Sequence, residues 1–163
     1  MTALSASGPD REPITADGLA ALHAELERLE TTERATMATR IKAARELGDL
    51  KENAEYHIAK EDQAHLETKI KRMRQRLSAA VVVEADSTSE TFDFGRTAEV
   101  LDETTERVHR WTLVGATEAD LGAGKLSAES PVGQALLGRS PGDVVKVQAP
   151  RGTRGYRIEK LVG

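Results

Sequence analysis

The chain has 163 residues, of which 39% are hydrophobic and 31% charged, with no cysteine and a formal net charge of −4. The absence of cysteine excludes disulfides, thiolate nucleophiles and cysteine-built zinc sites, and the negative balance argues against a simple nucleic-acid coat protein. No apolar run approaches the ~20 residues of a membrane span and no apolar leader opens the chain, so a cytoplasmic protein of one domain or two small ones is expected.

Residues 1–13 (MTALSASGPDREP) are small, polar and bear Pro and Gly, and read as a disordered tail. From Thr15 the grammar changes. Thr15 suits a helix N-cap, with Asp17 in the first turn facing the positive end of the helix dipole. Leu19, Leu22, Leu26 and Leu29 follow at steps of three and four, a heptad-like stripe. From Leu29 through Glu33 and Met37 to Ile41 every step is four, a stutter that locally unwinds a supercoil. Gly48 ends the first arm within the tight connector LGDL. A second arm runs to about Ser78, with Ala54, Ala59, Leu66, Ile70, Met73 and Leu77 as its apolar positions. Two arms of roughly 28 residues, each about 42 Å long, fold back as an antiparallel hairpin. Residues 14–80 therefore read as an N-terminal antiparallel α-helical coiled-coil hairpin. Its leucines meet Leu66–Leu77 at the open end, and only small residues line the seam near Gly48.

Residues 81–163 are short β-branched runs with Gly, Pro, Asp and Ser between them: 81–85, 96–101, 107–115, 144–149 and 156–162. Residues 130–138 (SPVGQALLG) read as a short helix with Ser130 as N-cap and Pro131 at its first position. The overall class is α+β, with this half a compact, mostly antiparallel β domain carrying a short helix.

Charge is polarised along the hairpin. Residues 46–62 carry Glu46, Asp49, Glu52, Glu55, Glu61 and Asp62 against Lys51 and Lys60, whereas 69–76 (KIKRMRQR) carry five basic residues and no acid. Charge runs are ordinary on a solvated coiled coil, but an acidic tip on a basic shaft is drawn tip first into a positive or metal-containing cavity. Asp49 and Glu52 lie three apart at the turn, a spacing that sets both carboxylates on one side. Two carboxylates hold Mg²⁺ poorly in water and matter when another protein supplies further ligands and phosphate. As simple caps of the second arm they contribute about 0.3–1 kcal/mol through the helix dipole.

The run GDLKENAEYH, Gly48–His57, resembles the tip of the Gre family of bacterial transcript cleavage factors, and its GreA branch more than its GreB branch. Residues 117–147 (TEADLGAGKLSAESPVGQALLGRSPGDVVKV) resemble the family's C-terminal segment, and the likeness spans about residues 15–162. The resemblance implies an FKBP-like C-terminal domain that docks on the coiled coil of the largest subunit of RNA polymerase, with Asp120, Ser130 and Pro131 as docking candidates. It implies a hairpin that enters the secondary channel, and Asp49 and Glu52 as the residues that share a Mg²⁺ with the polymerase active centre. No metal is expected on the free protein. The polymerase then cleaves backtracked RNA by two-metal hydrolysis, and the factor, expected to be a monomer, is not itself an enzyme. Arg40, Lys42, Arg45, Lys69, Lys71, Arg72, Arg74 and Arg76 are candidates for contact with the extruded RNA 3′ end, and Asn53 and Tyr56 for orienting the tip.

Several other readings compete. An FKBP-like fold suggests prolyl isomerase activity, but the domain has few aromatics (Phe92, Phe94, Trp111, Tyr156), and fold does not imply function. A stand-alone metal nuclease is disfavoured because His23, His57, His65 and His109 pair with no carboxylates at metal-motif spacing. His109 and Trp111 read as packing residues on a strand. An adaptor without chemistry and a channel-binding inhibitor of the same architecture remain. The intact GDLKEN run favours cleavage over inhibition.

Overall fold

A computed structural model describes residues 11–162, which pack as two units: residues 19–80, and the segments on either side, up to Gly18 and from Val81 onward. In the first unit α1 (Ala16–Arg28), one π turn (Leu29–Glu33) and α2 (Arg34–Arg45) form an unbroken arm, and α3 (Ala54–Ala79) is the return arm. The ion pairs Glu30–Arg74, Arg34–Glu67 and Arg40–Asp62 fall along one arm as they rise along the other, which defines an antiparallel hairpin.

The π turn lies where the sequence stutters. Twelve residues at about 100° each would leave Ile41 about 120° off the stripe begun by Leu29, and one inserted residue takes back about 100°. Ile41 and Ala44 are accordingly buried, as Leu29 is. Leu29, Ile70 and Met73 form the hairpin's dry cluster, backed by Leu22, Leu26 and Leu66. Towards the turn the seam narrows to Ile41, Ala44 and Ala59.

The second unit is built on a five-stranded sheet of order β5-β4-β3-β7-β6. Its strands are β3 (Thr97–Asp102), β4 (Arg107–Val114), β5 (Lys125–Ser127), β6 (Val144–Ala149) and β7 (Gly152–Val162). Phe92, Val100, Leu113, Leu136 and Ile158 are fully enclosed, with Leu136 contributed by α4 (Pro131–Leu136). Gly133 is required by close approach: a Cβ there would lie 1.9 Å from the Ser127 carbonyl oxygen. Trp111 stacks on His109 at 4.8 Å and tilts against Tyr156, a packing role for the pair on β4. Because Phe92, Trp111 and Tyr156 are buried, these rings fill the core rather than line an open substrate pocket.

Four features depart from the sequence reading. Residues 12 and 13 are not tail: β1 (Glu12–Ile14) pairs with β2 (Ala80–Val82) in a separate two-stranded sheet, while residues 1–10 lie outside the described residues. The strand expected at 81–85 is that short β2, not a member of the main sheet. The other pairings of the main sheet are antiparallel as expected, but the edge strand β5, which has little alternation to announce it, is an additional strand and runs parallel to β4. The return arm begins at Ala54, after an eight-residue turn, because Asn53 rather than an acid caps it.

Thr15 is the N-cap of α1, accepting a hydrogen bond from the Gly18 N–H at 3.0 Å. Its own N–H and hydroxyl donate to the Glu118 carboxylate, which also accepts the Gly115 N–H at 2.9 Å. Among the described residues no helix is long and apolar enough to cross a membrane.

Asp102 closes the β3–β4 turn. It is 3% exposed. Burial pushes its carboxyl up, but the N–H groups of Thr104 and Thr105 and the Arg154 guanidinium outweigh this and hold it below its ordinary 3.8. A lowered folded-state value means stability that is present above about pH 4 and lost as the pH falls further. Thermal unfolding between about pH 5 and pH 2 should therefore fall more steeply for the wild type than for Asp102→Asn.

Candidate functional site

The turn between α2 and α3 spans residues 46–53. Gly48 adopts φ +144° with open space around it, a left-handed conformation that L side chains rarely take. It reverses the chain directly before Asp49. The Asp49 carboxylate accepts the Lys51 N–H at 3.1 Å, and the Asp49 carbonyl accepts the Glu52 N–H at 3.2 Å. Asp49 and Glu52 are both exposed. Their three-residue spacing lies in this turn rather than on a helix.

Asn53 holds the turn together. Its side-chain oxygen accepts the Tyr56 N–H at 3.0 Å as the N-cap of α3, and its amide N–H donates across the hairpin to the Ala44 carbonyl. One side chain thus satisfies an orphan N–H of α3 and a terminal C=O of α2. Tyr56 is half-buried behind it, with the Arg45 guanidinium 5.7 Å from its ring centre and His57 edge-on at 5.7 Å. Capping therefore falls to Asn53, and the two carboxylates are not used for it. An asparagine directly before a helical run is itself a capping signal. Asn53→Ala should cost about 1–2 kcal/mol, confined to the turn. Amide hydrogen exchange at Tyr56 and His57 should speed up while that of the sheet is unchanged.

Of the candidate RNA contacts, Arg40 pairs with Asp62 at 2.7 Å and Arg74 with Glu30 at 3.0 Å. Lys42, Arg45, Lys69, Lys71, Arg72 and Arg76 are exposed and, among the described residues, make no ion pair. Arg34 forms a two-pronged pair with Glu67 at 2.9 and 2.8 Å and holds its carboxyl below the usual carboxylate range. Exposed pairs of this kind add little stability but set which turns of the two arms meet.

In the other unit Asp120 and Pro131 are exposed, and they flank β5 with Ser130. The Asp120 backbone exchanges hydrogen bonds with Lys125 at 2.9 and 2.8 Å, which holds the residue at the mouth of the loop. The Ser130 hydroxyl is occupied: it accepts the Gly133 N–H at 3.0 Å and donates to the Ser127 carbonyl at 2.7 Å. Its part in shaping the surface is to start α4. Among the described residues no group of three His, Asp or Glu side chains is placed to hold a metal.

The architecture is thus a two-helix hairpin with an acidic turn and a separate unit built on a β-sheet. Two family models match in chain order: the N-terminal part of the GreA/GreB transcription elongation factors over residues 12–82, and their C-terminal part over residues 87–161. The chain belongs to the GreA/GreB transcription elongation factor family. It is 44% identical to transcription elongation factor GreA of Rhodospirillum rubrum over 91% of this chain and 96% of that one. It is 45% identical to GreA of Nautilia profundicola over 93% of this chain and 94% of that one. The crystal structure of GreA factor homolog 1 protein of Thermus thermophilus aligns with 94% of this chain and 99% of that one, at 27% identity and a TM-score of 0.42.

Proposed function

We propose that this chain is an elongation factor that acts at the secondary channel of RNA polymerase, docking through the C-terminal unit and directing the hairpin tip toward the active centre. The observation that supports it is the match of both halves, in order, to the two family models. Occupancy of the channel asks only for this architecture, and a factor that stops there slows the polymerase.

Stimulated cleavage of backtracked RNA asks one thing more, which is carboxylates free to share a metal. Asp49 and Glu52 fit that role: exposed, uninvolved in capping α3, and set in a turn that Asn53 fastens to both arms. Two carboxylates suit Mg²⁺ only when the polymerase provides the remaining ligands. When bound there, Mg²⁺ supplies an activated water and stabilises the leaving oxygen. This chain's share is to bring two negative charges to that point and hold them still. Lys42, Arg45, Lys69, Lys71, Arg72 and Arg76, exposed and without an ion pair among the described residues, are available to RNA phosphates, whereas Arg40 and Arg74 are already engaged. Asp120 and Pro131 offer the docking surface, with Ser130 supporting it, and the factor works as a monomer in the cytoplasm.

The test is a Mg²⁺-dependent cleavage assay on a defined backtracked polymerase complex. Faster cleavage supports the cleavage reading. Binding that slows both cleavage and nucleotide addition supports channel occupancy instead. Absence of binding overturns both.

A further inference from the structure

Two charged residues are buried among those described, Asp102 and Arg96. Asp102 has its cation in Arg154. Arg96 is 5% exposed and, among the described residues, pairs with no carboxylate. A buried charge ordinarily has a partner of opposite sign. The nearby acids are turned elsewhere. The Asp86 carboxylate accepts the N–H and the hydroxyl of Thr88 at 2.9 and 2.5 Å, and the Asp93 carboxylate accepts the Ser89 and Thr91 hydroxyls at 2.6 and 2.7 Å.

The hydrogen bonds that the Arg96 side chain does make use one corner of the guanidinium. Nη1 donates to the Asp86 and Ser89 carbonyls at 2.8 and 2.7 Å, which takes both of its hydrogens. Nε is buried without a partner, and Nη2 makes no hydrogen bond among the described residues. The open edge is therefore the Nε–Nη2 side, whose two parallel N–H groups match the two oxygens of a carboxylate. Arg96 lines a cavity of about 490 Å³ together with Ser89, Glu90, Ser140, Pro141 and Leu161. Its walls are tied together, with the Phe92 N–H donating to the Arg139 carbonyl at 2.7 Å and the Gly138 N–H to the Phe92 carbonyl at 2.9 Å. Small-molecule sites have volumes of about 300–1,000 Å³.

The lining selects among anions. The exposed Glu90 opposes a doubly charged group such as phosphate more than a singly charged one. Pro141 and the half-buried Leu161 offer apolar surface to the rest of a ligand. We propose that Arg96 and this cavity form a binding site for a small carboxylic acid, whose carboxylate takes the Nε–Nη2 edge and whose aliphatic body lies against Pro141 and Leu161. None of the lining residues belongs to the hairpin turn or to the docking candidates, so the site stands apart from the polymerase reading. Nη1 already holds the carbonyls of residues 86 and 89, so an occupied site also steadies that segment.

The test titrates the isotope-labelled full chain with isobutyrate and, separately, with inorganic phosphate and with chloride. It follows the Arg96 side-chain Nε–H resonance and the Ser89 and Ser140 amides. Isobutyrate is expected to give saturable shifts at all three positions, with phosphate severalfold weaker. Glu90→Gln alters an exposed residue that makes no ion pair among those described, so it should keep the wild-type melting temperature. It should tighten phosphate binding more than isobutyrate binding, because the removed charge repels a dianion more strongly. Arg96→Lys keeps the charge but lacks the fork, and is expected to weaken isobutyrate binding about tenfold or more. Trp111 fluorescence shows whether that variant keeps the sheet unit folded, and where it does not, the wild-type and Glu90→Gln titrations decide. Shifts that rise without saturation and equally with chloride are a salt effect and overturn the proposal. Tighter binding of phosphate than of isobutyrate also overturns it, as does undiminished isobutyrate binding by folded Arg96→Lys.

Discussion

Asp49→Ala and Glu52→Ala are each expected to reduce stimulated cleavage of a backtracked transcript by about 10²-fold or more, the scale on which a preorganised charge at a reacting centre is felt. Binding to the polymerase should change little, and thermal stability should match the wild type. The reason for the separation is local. Neither carboxylate caps α3, since Asn53 accepts the Tyr56 N–H, and both acids are exposed in the turn. Asp49→Ala removes one hydrogen bond, from the Lys51 N–H, to an exposed acceptor that water replaces. The measurement pairs single-turnover cleavage with competition binding for each variant. A loss of rate with binding retained identifies the carboxylates as the chemical contribution of this chain. Variants that cleave as fast as wild type would reduce the tip to an occupant of the channel. The double variant should lose little more than either single one, because ligands that act as a unit are not additive.

Ile70→Ala carries the largest expected cost in stability, about 2–5 kcal/mol for deleting a buried aliphatic side chain. Ile70 is 1% exposed and sits between Leu29 and Met73 in the hairpin's one dry cluster. The rest of the seam is Ile41, Ala44 and Ala59, which cannot make up the loss. The sheet unit has its own core around Phe92, Leu113 and Ile158, so two transitions are expected rather than one. Trp111, the single tryptophan, is buried in that second core. Its fluorescence follows the sheet unit while helical circular dichroism follows the hairpin. In Ile70→Ala the helical transition should move to lower temperature and the tryptophan transition should stay. If both move together, the units melt as one.

Much of this architecture was legible in the residues. Leu22, Leu26, Leu66, Ile70 and Met73 recur at helical spacing on two arms joined by Gly48, so the hairpin and its strong end follow from periodicity. Thr15 and Ser130 read as N-caps, and both are. The stutter after Leu29 was visible as a break in the repeat, but not that a π turn would absorb it: an inserted residue in one turn and a gradual unwinding both restore the stripe. The edge strand at Lys125–Ser127 is not legible in the residues, because three residues carry no period. Nor is Glu12–Ile14, because its partner at Ala80–Val82 lies far away along the chain.

The site divides in the same way. The acidic turn, its two carboxylates and the family motif around them are properties of the sequence, since charge and local spacing need no partner to be read. Which side chain caps α3, which arginines are already paired, and which aliphatic side chains are left uncovered were decided by the tertiary structure. Asn53 joins Ala44 to Tyr56 only when two arms lie side by side, and Arg40 meets Asp62 under the same condition. Leu47 and Ile58 look like any other apolar residues of a hairpin until the seam forms without them. Local chemistry is written in neighbouring residues, whereas pairing and exposure depend on contacts between residues distant in the chain, which only the fold brings together.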